Sequence, residues 1–266
     1  ASGNGAGLLI RGSTNKPDVY VDNLWFSNND AASFGALGGA ISNGANLTIT
    51  NSLIEGNTAQ KGGGIWNSAF GALTMENVTV SGNNATGGDG GGIWSEGIGT
   101  LRNVTVTAND ADDPSASDGN GGGIFLKAGS TLDVGNSIIA GNTAEGGKND
   151  VRGDFTSSGS NIIQDPTSST SSTGFAAPEI GIDPLLGGLA NNGGDLMTHA
   201  PGAPAIDAAD PTLAPNTDQR GFLRGDGSPD IGAYEAGASA ATTADFLDTF
   251  DSVDYDGDDG TLSWTG

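Results

Sequence analysis

The chain has no cysteine, one histidine and only nine basic residues. The first absence excludes a disulfide framework and any thiolate metal site. The shortage of Lys and Arg leaves no basic patch to hold phosphate, so nucleic acid is not an expected partner. There is no run of eighteen apolar residues, and no membrane insertion is predicted for this segment. Nor does any stretch carry apolar residues at helical spacing over three turns.

Acid and glycine are in excess. Thirty-two acidic residues set a net charge of −23, and 47 of the 266 residues are glycine. That much glycine opposes long helices. The acidity suits cations and neutral or basic surfaces, and it equally serves solubility in salty surroundings.

An eleven-residue pattern recurs five times in the first half. An apolar residue stands at Val21, Ile49, Met75, Leu101 and Val134, at offsets of 28, 26, 26 and 33 residues. Two places on comes Asn23, Asn51, Asn77, Asn103 and Asn136. A second asparagine follows at Asn29, Asn57, Asn83, Asn109 and Asn142, then alanine two places later. Between copies lies a Gly-Gly motif ending at Ile41, Ile65, Ile93 and Ile124. Segments such as Leu47-Thr48-Ile49-Thr50 alternate with strand period.

A repeat of this length and chemistry reads as an all-β solenoid, a right-handed parallel β-helix. Each repeat is expected to form one coil of three short strands, with coils about 4.8 Å apart. The asparagine columns are expected to be structural ladders, because stacked amides donate and accept along the column. The Gly-Gly pairs mark turns where a β-carbon would clash. From the second asparagine to the next motif Ile the spacing varies, 12, 8, 10 and 15 residues, so loops of variable length leave one edge.

The residues after the repeats carry a longer motif chain. It runs Asp183-Pro184-Leu185-Leu186-Gly187, then His199-Ala200-Pro201-Gly202-Ala203-Pro204-Ala205-Ile206-Asp207-Ala208. Thr217-Asp218-Gln219-Arg220-Gly221-Phe222 and Asp230-Ile231-Gly232-Ala233-Tyr234-Glu235 follow. This resembles the C-terminal half of bacterial secreted β-helix proteins of the choice-of-anchor Q domain type. The repeats resemble those of polymorphic outer membrane proteins, through Gly-Gly-x-Ile and Phe26-Ser27-Asn28-Asn29. The resemblance implies a pectin-lyase-like solenoid, an extracellular or cell-surface location and, for the latter relatives, adhesion.

Four regions are expected: coils over 1–150, last coils and a C-terminal cap over 151–235, a linker over 236–244, and the start of a further β-rich segment over 245–266. Arg220, Asp218, Asp230 and Glu235 are expected to form ion pairs inside the cap.

Three candidate surfaces emerge. Trp66, Trp94 and Phe125 each follow a motif Ile, so alternation turns them outward as an exposed aromatic face for sugar rings or another protein. Asp110, Asp112, Asp113 and Asp118 in the longest loop, and Asp254, Asp256 and Asp258 near the end, are candidate metal ligands. Calcium is thus the one cofactor considered, and none is required. Phe246 to Trp264 could complete a neighbouring copy's sheet.

No catalytic residue is assigned, because the basic side chains are scattered and His199 stands far from the paired acids. The leading expectation is a non-catalytic extracellular module for adhesion, matrix or surface-layer structure. Its partners would be polysaccharide, a surface or matrix protein, or copies of itself. The alternatives are a polysaccharide lyase or glycoside hydrolase, and a self-assembling fibre subunit.

Overall fold

A computed structural model describes residues 7–12, 16–31, 35–112, 119–147, 149–166, 174–175, 178–225 and 227–238. Every regular element among them is a β-strand. The chain visits four parallel sheets in turn, here A, B, C and D. Sheets A, B and C have six strands each and sheet D has five. One full coil comprises Ile65–Asn67 in A, Ala72–Glu76 in B, Thr79–Ser81 in C and Asn84–Asp89 in D.

The coil therefore has four strands, not the three expected. Sheet D was hidden in the sequence because its strands are short and lie in the segment of variable length. Asp110–Ala111 is one of two residues only.

Register is in step throughout. Leu47 pairs with Leu73 and Ile49 with Met75, and Met75 with Leu101 in the next coil. Alternation sends these side chains inward. Ile41, Ile65, Ile93 and Ile124 from sheet A, Ile54, Val80 and Val106 from sheet C, and Leu47, Ile49 and Leu101 from sheet B are all buried in one continuous core. The Gly-Gly turns join D to A. Gly62 has φ of +61°, and a β-carbon on Gly63 would stand 2.5 Å from the Gly91 carbonyl oxygen of the next coil. Only glycine fits that position.

The two asparagine columns do different work. Those at the B–C corner, Asn23, Asn51, Asn77, Asn103 and Asn136, all have φ between +48° and +53°. Asn tolerates this left-handed conformation, which makes the sharp corner. The second column, at the C–D corner, points inward and is hydrogen-bonded along the axis. Asn57 Nδ2 donates to Asn83 Oδ1 at 2.9 Å, Asn83 Nδ2 to Asn109 Oδ1 at 2.9 Å, and Asn109 Nδ2 to Asn142 Oδ1 at 2.9 Å. The backbone N–H of each also donates to the same acceptor, at 3.0 Å. Asn83 Nδ2 further reaches Ile54 O in the coil before and Ser81 O in its own.

The expected side-chain ladder thus runs through one column. In the corner column the single axial amide contact, from Asn77 Nδ2 to Asn51 Oδ1, is 3.4 Å long.

The ladder has a direction and an end. Donors point toward the C-terminal coils, and Asp150 Oδ1 accepts the last pair, from Asn142 Nδ2 at 2.8 Å and Asn142 N at 3.1 Å. A carboxylate only accepts, so it closes the chain of donors. Its other oxygen accepts from Asp165 N. Burial pushes the Asp150 carboxyl up to about 6, against the bonds from Asn142 and Asp165, which favour the charged form.

The expected cap takes another course. After a final coil, Ile180 bridges Ile163, and the chain then runs back along the outer face of sheet C as a strap. Corner asparagines hold it. Asn77 Nδ2 donates to Thr217 O at 2.8 Å, Asn103 Nδ2 to Asp230 O at 3.1 Å and Asn136 Nδ2 to Asp210 O at 2.8 Å. At the far end Asn23 Nδ2 donates to Asp195 Oδ2 at 3.0 Å. Ile231, Ala205 and Ala209 cover Ile138 and Ile162 on sheet C.

Two expected outcomes follow from the columns. Asn83→Ala strands the donors of Asn57 and two carbonyls, and should cost about 3 kcal/mol in denaturant unfolding, whereas Asn51→Gly, at positive φ, should stay within about 1 kcal/mol. For Asp150 the folded pKa, about 6, exceeds the unfolded 3.8. Its stabilising contribution is full below about pH 4 and is lost as pH rises through about 6, by about 3 kcal/mol. The unfolding midpoint should drop between about pH 4 and about pH 7, and Asp150→Asn should flatten that slope.

Candidate functional site

Sheet A offers one continuous outer column. Each strand has three residues or fewer, and the middle one points out. Leu9, Ser42, Trp66, Trp94, Phe125 and Arg152 stand in register, coil over coil. Trp66 and Trp94 rings lie 6.2 Å apart, tilted by 35°. The Arg152 guanidinium sits 5.4 Å from the Phe125 ring centre.

The column is less open than alternation alone predicts. Trp94 is 9% exposed, and Trp66 and Phe125 are half-buried. Lys61 comes from the neighbouring D–A corner and lays its ammonium 4.8 Å from the Trp94 ring centre. Asp89 holds that ammonium at 2.9 Å. The expectation of a freely exposed aromatic face is therefore corrected: the rings point outward, but they lean on one another and lie partly under a lysine. Under them are unspent donors. Ser42 Oγ, Trp66 Nε1 and Trp94 Nε1 are buried with no acceptor. Orphaned buried donors are rare in native folds and each calls for a cause.

The metal candidates do not gather. Asp110 accepts from Thr143 Oγ1 at 2.7 Å, and Asp112 Oδ1 is buried with no donor. Asp113, Asp118, Asp254, Asp256 and Asp258 lie outside the described residues, as does the whole segment expected to reach a second copy. Among the described residues no group of three His, Asp or Glu side chains is placed to hold a metal ion.

The charged motifs of the strap form a buried network. Arg220 meets Asp218 at 2.7 Å and Arg224 meets Glu235 at 2.6 Å, with all four side chains inaccessible. Arg220 is also sandwiched, 4.4 Å from the Phe222 ring centre and 3.8 Å from that of Tyr234. Asp230 Oδ1 accepts from Asp207 N at 2.8 Å. Three carboxylates thus share two guanidinium groups. Burial pushes Asp230 and Glu235 above the usual carboxylate range, with Arg224 opposing, and burial lowers Arg224. His199 is clamped alongside. Its Nδ1 lies 2.7 Å from the Gly187 carbonyl, which can only accept. Nε2 is then the acceptor for Ser81 Oγ–H at 2.9 Å. Burial keeps this ring neutral by lowering its pKa. The sole histidine fastens the strap to sheet C.

Sequence reasoning passed over several open aromatics. Tyr20 is 76% and Trp25 54% exposed, both in the first complete coil, and Phe70 in a later coil is 70% exposed. The signal was present: Val19 and Val21 face inward, so Tyr20 faces out.

With this geometry in place, the comparisons define the class. A family model described as right handed beta helix region matches residues 1–163. The chain belongs to that family. No curated protein and no solved structure matches it.

The strap network generates one expectation. Arg224→Met leaves Glu235 and Asp230 buried without their countercharge and should destabilise the protein by about 3–5 kcal/mol. Limited proteolysis should then cut the strap before the coils.

Proposed function

We propose that this protein is a non-catalytic, extracellular β-helix module for adhesion, matrix or surface-layer structure, and that it binds polysaccharide along the outer face of sheet A. The observation that carries the reading is the in-register column of Trp66, Trp94 and Phe125 with two unspent indole donors. Coils repeat about every 4.8 Å, a step comparable to one sugar unit of an extended glycan. Aromatic faces suit the apolar faces of sugar rings, and the indole N–H groups suit their oxygens. Lys61 is the gate. Its bridge to Asp89 is partly exposed, so swinging it aside costs little, within about 1 kcal/mol.

The non-catalytic part rests on how the chain spends its acid–base groups. His199 is held on sheet C between Ser81 and Gly187, away from the aromatic column. Arg220 and Arg224 are committed to buried carboxylates in the strap. The resemblance of the repeats to surface-displayed proteins supports the location.

A glycan array read with the full chain tests this. At least one polysaccharide should be retained, Trp66→Ala with Trp94→Ala should lower retention at least tenfold, and Lys61→Ala should preserve or raise it. Retention unchanged by the double tryptophan variant sinks the proposal, as does an array with no retained glycan.

A further inference from the structure

The strap and the first complete coil enclose a cleft of about 200 Å³. It lies at the B–C corner, well away from the sheet A column, and the inference from it does not rest on that reading. Asp22, Asn23 and Asn51 line it from the coils, and Asp195, Gln219 and Arg220 from the strap.

The polar groups of this lining are partly engaged with one another, and each lining amide makes one bond. Asn51 Nδ2 donates to Asp22 Oδ1 at 2.9 Å, and Asn23 Nδ2 to Asp195 Oδ2 at 3.0 Å. Gln219 Nε2 is turned to Met197 O at 3.3 Å. Arg220 is consumed by Asp218, Asn192 O and Glu235 O. Three acceptors are left over. Nothing described donates to Asp22 Oδ2, Asp195 Oδ1 or Asn23 Oδ1. A ligand that fits must therefore bring donors, and it must not bring a carboxylate beside Asp22 and Asp195.

Apolar surface flanks the cleft. Tyr20 shares the outward side of its strand with Asp22, two residues or about 7 Å away. On the other side of the corner Trp25 points out from sheet C, its Nε1 donating to Glu55 Oε1 at 3.3 Å. These two rings stand among the most exposed large hydrophobic side chains described. An acceptor-lined hollow beside open aromatic rings matches a ligand with hydroxyl donors on its edge and an apolar face, the size of one pyranose ring.

We propose that this corner cleft is a binding site for a single uncharged pyranose unit, its hydroxyls donating to Asp22, Asp195 and Asn23 and its ring face packing on Tyr20. The strap creates the site, because Asp195 reaches the coil only through it. Uronic acids are excluded by the two carboxylates.

The test is a titration of the full chain, followed by amide chemical shifts. The probes are the methyl glycosides of glucose, galactose, mannose and N-acetylglucosamine, and of galacturonate. At least one uncharged glycoside should bind with Kd on the order of 1 mM, with shifts centred on Asn23, Asn51 and Gly221. Asp195→Ala and Tyr20→Ala should each weaken it at least tenfold. Tyr20→Ala removes no bond of the cleft, so it reads contact with the ligand even where Asp195→Ala loosens the strap. Galacturonate should bind at least tenfold more weakly. Trp66→Ala with Trp94→Ala should leave Kd unchanged, which separates this site from sheet A. No saturable shift at the cleft with any uncharged glycoside overturns the proposal. So does galacturonate binding of equal strength, or binding indifferent to both cleft variants.

Discussion

The buried amide of the C–D corner is the constraint on which the solenoid depends. Asn83 is fully buried and must satisfy two donors and one acceptor within the protein. It does so by touching three coils at once: Ile54 O behind it, Ser81 O in its own, and Asn109 Oδ1 ahead. Those bonds hold only if the coils sit at one spacing and one register. An apolar column is more forgiving. Sheet B carries Leu47, Leu73, Gly99 and Leu132 at one level, and Leu132 simply leans into the room that Gly99 leaves. Burial of these side chains supplies the driving force. The asparagines decide which stacking it drives, since a slip of one residue would orphan a row of buried polar groups.

Direction follows from the same bonds. Every amide-to-amide bond in the column runs the same way, so the two ends differ chemically. Asp150 ends it with acceptors alone, where another asparagine would bring donors needing acceptors of their own. Charge is tolerated there because two N–H groups and an amide meet it, yet burial still raises its pKa. The terminus of the ladder is thus the point where coil stacking responds to pH, with the more stable form on the acid side.

What the sequence disclosed was whatever repeats. Columns twenty-odd residues apart in the chain became columns in space, and the inward and outward faces of sheets A and B followed from alternation. What it withheld was aperiodic. The strap meets the coils through pairs separated by well over a hundred positions, such as Thr79 with Gln219; no local pattern announces them. The corner asparagines illustrate the limit. Identity and spacing matched the ladder column, and only backbone φ and the strap's carbonyls show that they form a corner and a docking row. The openness of Trp94 was equally out of reach, because it turns on where Lys61, a residue of the neighbouring corner, places its side chain.

The four faces consequently have unequal freedom. Sheet C is given over to the strap, which buries its outward Thr79, Thr105 and Ser81 and satisfies them through Gln219, Ala233 and His199. Sheet D borders the loops of variable length. The two surfaces proposed for recognition are sheet A and the margin where the strap's coverage runs out. That margin is at the first complete coil, where Asn23 and Asp195 make the last contact described. Beyond it Trp25 is open, although Leu53 and Thr79, its partners down the same column, are wholly covered. A strap that covers all but one coil of a face necessarily leaves a step, and a step between polar corner residues and an aromatic edge is a concave place on an otherwise straight prism. The length of the strap, rather than any change in the repeat, therefore sets where this β-helix has a hollow.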